Sequence, residues 1–217
     1  MKTLSVRKIA AAPKEAAEVP ALLDRDGVEW QPIDCVNWPE AYPYAPRVAF
    51  RMAHTGPLLL IHYRVREYSV AAVAPHDCGR VWEDSCCEFF SVPAADGYYY
   101  NMECNCAGTL LVAAGTGREG REHAPQPVLE RVLRWSSLGR RPFAERIGEV
   151  EWELALVVPA ATYFRHSITA FDGLTMRANF YKCGDKLSRP HFLSWNPIAV
   201  GKPDFHRPDF FGTLVFA

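Results

Sequence analysis

No apolar run in this chain is long enough to cross a bilayer as a helix; the longest candidates, Leu58 to His62 and Leu154 to Ala161, have the length of strands. Charge of one sign is also missing. The 24 Lys+Arg and 25 Asp+Glu leave a net charge of −1, and no basic run exceeds a pair such as Arg140-Arg141, which argues against nucleic acid or an anionic membrane as partner. Near the N-terminus Lys2, Arg7 and Lys8 precede Lys14, Glu15 and Glu18, which occupy the place where an export signal needs its apolar segment. A soluble, cytoplasmic protein is expected unless further chain precedes Met1. A disulfide framework is absent too: seven cysteines, an odd number that includes the adjacent pair Cys86-Cys87, suit a reducing compartment. There is no C-x-x-C pair. Cys104 and Cys106 would share one strand face, but zinc would need Cys183 or His191 to converge on them, and buried small hydrophobes are the favoured reading.

Helical periodicity is scarce, and strand signals take its place. Arg47 to Ala53, Leu58 to Arg66, Cys86 to Val92, Tyr98 to Cys106, Thr109 to Ala113, Glu149 to Val158, Leu174 to Lys182 and Thr213 to Phe216 are rich in β-branched or aromatic residues, mostly bounded by turn formers. His54-Thr55-Gly56-Pro57 and Ala94-Ala95-Asp96-Gly97 read as hairpin turns. Pro159 to Phe164 reads as a short helical connector, and the polar stretch Thr116 to Gln126 as an exposed loop. With no internal repeat and no linker, the expectation is one all-β domain over residues 1–217. Its core is placed at about residues 46–217, as an antiparallel β-sandwich of immunoglobulin or jelly-roll type with long irregular loops.

The segment Arg177 to Phe216 carries Phe192, Trp195, Phe205, Phe210 and Phe211 among Pro190, Pro197, Pro203 and Pro208, so it can order without a hydrogen-bond ladder. The phenylalanines suit a satellite core under a long loop. Trp195, beside Asn196 and near His191, suits equally a core position or a ligand with an apolar face and hydroxyls.

Alternation in VWEDSCCEFFSV puts Trp82, Asp84, Cys86, Glu88 and Phe90 on one side, with Cys87 and Phe89 on the other. In YYYNMECNCAG it groups Asn101, Glu103 and Asn105 against Met102, Cys104 and Cys106. A hairpin through Asp96-Gly97 would unite Glu88, Asn101 and Glu103 on one surface. That inventory suits a polyol, whose hydroxyls donate to carboxylates, and it suits a solvated sheet face as well. A sandwich that serves only protein contacts is a further reading, and two other chemistries fit parts of the pattern. Glu88 and Glu103 could serve a glycosidase or isomerase as paired carboxylates. Met102 and His62 could supply axial ligands to a haem.

These motifs, in their order and spacing from Val48 to Phe216, resemble the family 9 carbohydrate-binding modules and their relatives. They comprise VWEDSCCEFF, YYYNMECNCAG, WELALVVP, RANFYKCG, FLSWNP and PDFHRPDFFGTL. The resemblance implies a β-sandwich that holds a mono- or oligosaccharide between two tryptophans without turning it over. Trp82 and Trp195 match those positions, Glu88 matches the acidic ligand, and Asn101 and Glu103 fall where further polar contacts are expected, with Asp84, His191 and Asn196 beside them. Members of the family are often appended to glycoside hydrolases and often bind calcium, so both are implied as partner and ion. Asp24-Arg25-Asp26-Gly27 is the stretch here that matches part of a calcium loop.

Overall fold

The computed structural model describes all 217 residues. Its strands are β1 (Thr3–Lys8), β2 (Gln31–Pro32), β3 (Cys35–Val36), β4 (Arg47–His54), β5 (Leu58–Ala72), β6 (Cys86–Val92), β7 (Tyr99–Asn105), β8 (Leu110–Gly115), β9 (Glu122–His123), β10 (Leu133–Ser136), β11 (Phe143–Pro159), β12 (Thr175–Cys183), β13 (Phe192–Ser194) and β14 (Gly212–Phe216). Two short helices, α1 (Val19–Arg25) and α2 (Gln126–Leu129), lie between them. All eight strands expected from composition are present, and Ala160–Thr162 forms one turn of 3-10 helix where a connector was expected. Gly56 (φ +95°) and Gly97 (φ +87°) sit in the two expected hairpin turns, in a region that only glycine enters without strain.

The strands form two layers. One runs β14-β12-β6-β7-β8-β9, with β13 on β12 and β3 on β13; the other runs β10-β11-β5-β4, with β2 on β4. Pairing is antiparallel except at β1. Its Thr3 to Val6 pair parallel with Thr213 to Phe216 of β14, and its Arg7 and Lys8 then pair parallel with Ala53 and His54 of β4. The N-terminal strand thus stitches the layers together along one edge.

Between the layers lies the main core, in which Phe50, Ile61, Tyr63, Trp152 and Leu154 face Cys87, Phe89, Met102, Cys104 and Phe180. Phe180 is stacked between Phe50 and Phe89, with centroids 3.6 and 4.9 Å away. The outer face of the β11–β5–β4 layer is covered by the N-terminal segment, where Ile9, Val19 and Leu23 pack on Ala53, Leu60 and Val157. A third cluster covers the outer face of the other layer: Cys86, Phe90, Tyr99, Leu111, Tyr181 and Cys183 lie under Trp38, Val81, Ile198, Phe205 and Phe211. Both faces of the β6–β12 layer are therefore buried, and the satellite-core reading holds for Phe205 and Phe211.

His62 and Met102 are not an axial pair. Met102 is in the inter-layer core, whereas His62 lies on the far face of β5, where it packs on Trp30 at 4.9 Å and accepts a hydrogen bond from Arg51. The calcium fragment does not fit an ion either, since the Asp24 carboxylate takes a hydrogen bond from Arg51 Nη1 at 2.5 Å and Asp26 pairs with Arg25.

One ion pair crosses the main core. Lys182 Nζ on β12 is 2.8 Å from Glu67 Oε2 on β5, and both side chains are fully buried. Burial, the largest single influence, pushes the ammonium down, but Glu67 together with Cys87 and Cys183 holds it above the usual lysine value. His191 completes the group: burial and Lys182 hold its imidazole well below the usual value, so Nε2 accepts from Lys182 at 2.7 Å while Nδ1 donates to the Arg189 carbonyl at 2.9 Å. Trp152 Nε1 donates to the other oxygen of Glu67 at 2.7 Å. Every charge in the group has a partner, so deleting one member strands the other in a medium that cannot solvate it. Lys182→Met is expected to lower the unfolding free energy by about 3–5 kcal/mol, read from urea denaturation at neutral pH. A loss below about 1 kcal/mol would show the pair to be dispensable.

Candidate functional site

Hydrogen-bond register builds the site on the outer face of the β6–β12 layer. Glu88 of β6 pairs directly with Glu103 of β7 and with Tyr181 of β12; Phe90 pairs with Asn101, and Cys86 with Cys183. The side-chain period of two then brings Cys86, Glu88, Asn101, Glu103 and Cys183 to one face. A cavity of about 690 Å³ opens above them. That volume falls within the range of small-molecule sites, at about 300–1,000 Å³. It is also lined by Trp82, Tyr42, Asp185, Phe205, Arg118, Arg121, Lys202 and His206 from loops and turns, and by Phe192 at the start of β13.

Trp82 is not on a strand. It sits in the 3-10 turn Val81–Glu83, whose backbone is tied down by the N–H of Asp185 donating to the Trp82 carbonyl at 3.2 Å and that of Lys186 donating to Glu83. The indole is half-buried at the cavity wall, with Asp84 just beyond the turn. Asp84 itself is 3% exposed and its carboxylate accepts from the backbone N–H of Val73 and Ala74 and from Asn105 Nδ2, so it holds two loops together instead of facing the cavity. Asn105 is spent in the same way on the turn at Ala107 and Thr109.

The floor is a chain of polar groups. Arg121 lies over the Tyr99 ring at 4.0 Å and donates to Asn101 Oδ1, to the Tyr99 carbonyl and to the Gly117 carbonyl, each at 2.8 Å. Asn101 passes its own N–H to Glu103 Oε1 at 2.8 Å. Glu103 Oε2 is buried and has no partner in the protein. Glu88 Oε1 accepts from the Cys183 thiol at 3.0 Å. Burial, and next the neighbouring Glu103, push the Glu88 carboxyl well up; burial lifts Glu103 to about 7, against the Asn101 and Arg121 contacts that lower it. Asp185 is raised to about 6 by burial and by Glu83. The floor therefore offers carboxyl groups raised by burial, and of their oxygens Glu103 Oε2 has no hydrogen-bond partner in the protein.

Besides Asp84, three further expected site residues are elsewhere. Trp195 is 1% exposed and packs edge-on against Phe50 and Phe180 in the main core, with centroids 5.9 and 5.8 Å away. It does not face Trp82 across an opening. Parity gives the reason: along β13 and the residue after it, Leu193 and Trp195 turn inward and Phe192 turns outward, so the aromatic that this segment lends the cavity is Phe192. Asn196 is fully buried and accepts from the Lys2 N–H at 2.7 Å, which fastens β1. His191 belongs to the Lys182–Glu67 group.

Sequence reading missed Arg121, His206, Asp185 and Tyr42, because they reach the cavity from loops, where no period reports a direction. One signal was available for Arg121: an arginine within a polar, glycine-bearing loop next to a strand that presents an unpaired amide face.

The fold and this cavity define a β-sandwich binding module whose site lies on the outside of one sheet. Carbohydrate-binding family 9 matches residues 17–216, and the chain belongs to that family. A crystal structure from Bacteroides uniformis is 56% identical, covers 100% of this chain and 99% of its own, and superposes with a TM-score of 0.97. A family 9 module from Caldicellulosiruptor kristjanssonii in complex with glucose is 13% identical, with a TM-score of 0.55 over 100% of this chain and 96% of that one. The module from the same organism in complex with cellotriose is 14% identical, with a TM-score of 0.57 over 99% and 93%. Both share the fold. Among curated proteins none matches the chain.

The cavity mouth yields a pH test. His206 Nδ1 and the Tyr99 hydroxyl share a hydrogen bond of 2.9 Å, and burial followed by Arg121 and Arg118 lowers the imidazole value to about 3. A base depressed in the folded state contributes stability that is full above about pH 6.5 and is lost as the pH falls toward its folded value. The His206 ring resonances in a heteronuclear NMR titration are therefore expected to stay flat between about pH 5 and 8, the window in which an ordinary histidine titrates. A midpoint near 6.5 would show the ring to be open to water.

Proposed function

We propose that the cavity binds the ring of a neutral sugar, as a monosaccharide or the end of an oligosaccharide, and releases it unchanged. The observation that carries this is the buried, partnerless Glu103 Oε2 beside Glu88 at the foot of a half-buried tryptophan. A buried acceptor without a donor costs about 1–3 kcal/mol. A hydroxyl-bearing ligand returns that donor, and it does so without carrying a charge into a site already lined with carboxyls. Trp82 gives the ring an apolar face to lie on, and Tyr42, Phe192 and Phe205 add apolar lining to the same cavity. Membership of family 9 and the sugar complexes of the two structural relatives support the same ligand class.

Binding suits the geometry better than turnover. Glu88 and Glu103 rise side by side from neighbouring strands, not from opposite walls, and both are pushed toward the protonated form. A retaining or inverting glycosidase needs one of its two carboxyls ionised and the pair set on either side of the scissile bond. A non-catalytic module has no such requirement.

Calorimetric titration with glucose and with cellotriose tests the proposal. One or two stacking contacts and a few charge-assisted hydrogen bonds support a Kd of about 10–100 μM. Trp82→Ala is expected to abolish detectable heat while leaving the thermal midpoint nearly unchanged. Trp195→Ala is expected to act in the opposite sense, lowering stability by about 3–5 kcal/mol because it empties a packed core. Unaltered binding by Trp82→Ala, or no binding of either sugar by the wild type at millimolar concentration, would overturn the assignment.

A further inference from the structure

Two thiols meet a carboxylate beneath the cavity. Cys86 and Cys183 are direct cross-strand partners in the β6–β12 ladder, and Glu88 follows two residues after Cys86 on the same face. The two sulfurs and a Glu88 oxygen lie within 4.8 Å of one another, all three side chains are buried, and Glu88 and Cys183 border the cavity. Asp185, two residues after Cys183, lines the same cavity. The thiol pair that converges is therefore not Cys104 and Cys106, which lie on the opposite face of β7 in the main core.

We propose that Cys86, Cys183 and Glu88 form a binding site for a borderline-soft divalent cation, zinc foremost, with Asp185 at its edge and one coordination position open to the cavity. Zn–S bonds of about 2.3 Å and Zn–O bonds of about 2.0–2.2 Å at tetrahedral angles place neighbouring donors about 3.4–3.8 Å apart, so the ligands here need only small side-chain rotations. Thiolate donors select zinc over calcium or magnesium, which take oxygen ligands. Rigid backbone supplies the preorganisation, because all three ligands stand on paired strands and none on a mobile loop.

Electrostatics favour a cation in this place. Glu88, Glu103, Asp185 and two thiols crowd one region, and three basic groups around it are committed elsewhere: Arg121 to Asn101 and backbone carbonyls, Arg118 to Asp204, and Lys182 to Glu67 on the other side of the sheet. Glu103 Oε2, 4% exposed at the residue level and partnerless, is a further acceptor next to the same region. In the metal-free protein the cluster survives by staying protonated. Coordination removes one proton from each thiol to solvent and leaves two S⁻ ligands and a carboxylate around one dication, so the charge that burial forbids is neutralised within the site.

The inference is independent of the sugar reading, since metal binding is measured with no sugar present. Cobalt(II) titrated into the phosphine-reduced protein is the probe. One equivalent is expected to bind, to give a near-ultraviolet thiolate-to-cobalt charge-transfer band, and to be displaced by one equivalent of zinc. Cys86→Ser and Cys183→Ser should each abolish the band, while Cys104→Ser should keep it. If the serine variants fold poorly, X-ray absorption of the zinc-loaded wild type decides, with two sulfur scatterers expected at about 2.3 Å. Absence of the band in the wild type, its survival in both serine variants, or a zinc spectrum with oxygen and nitrogen scatterers alone would overturn the proposal. So would denaturing thiol titration of the purified protein that finds Cys86 and Cys183 joined as a disulfide even after reduction is attempted.

Discussion

Everything in the site depends on the register in which β6 lies between β12 and β7. Glu88 is opposite Glu103 and Cys86 opposite Cys183 because those strands pair without a bulge over the stretch concerned. Strand side chains alternate with a strict period of two, so a slip of one residue would send Phe89 and Cys87 outward and turn Glu88 and Cys86 into the main core. Such a slip would bury a carboxyl among Phe50, Phe180 and Met102. The cost of stranding that group makes the register nearly exclusive, and the binding floor is a by-product of the same alternation that fills the core.

Burial on both faces is what separates this sheet from an ordinary half-wet one. The inner face packs on the β11–β5–β4 layer, while loops that carry Trp38, Ile198, Phe205 and Phe211 cover much of the outer face. Where this covering stops, the cavity begins. Groups on its floor consequently share the dryness of a core while still facing an opening, and this raises the Glu88 and Glu103 carboxyls together. The polar inventory of the floor would have little binding value on a wetted face, because water would satisfy each group equally well.

The legible part of the sequence was the part governed by a period. All eight long strand runs, both hairpin turns and the face shared by Glu88, Asn101 and Glu103 follow from alternation and turn chemistry. Strand ends were harder where polar residues point inward. β5 continues six residues past Arg66 because Glu67 and Ser69 find partners in Lys182 and Glu145, which no local pattern announces. β11 begins at Phe143, before the expected Glu149, through two register irregularities that erase the alternation in its exposed first half. The parallel pairing of β1 joins residues some 200 positions apart, and no hairpin signal can report it. Trp195 was misplaced for a different reason. Its polar neighbours Ser194 and Asn196 suggested exposure, yet both are buried and hydrogen-bonded, Ser194 to Asn37 and Asn196 to Lys2 and Asn179. Polar flanks indicate a surface only when they lack partners.

Trp82 and the cysteine pair show how one constraint serves two ends. The turn that presents the indole is held by backbone bonds from Asp185 and Lys186, and the Trp82 carbonyl lies 3.5 Å from the Cys183 sulfur. Cys183 in turn reaches Glu88. The Trp82 turn, the cavity floor and the thiol pair are thus consecutive links in one short path of contacts anchored at the end of β12. Groups coupled so closely share their positional errors, and a shift of the β12 terminus would move the tryptophan and the carboxyl together instead of separating them. Mutual alignment of the apolar wall with the polar floor is in this way secured by the end of β12, a strand paired on both sides, although much of the cavity lining comes from loops.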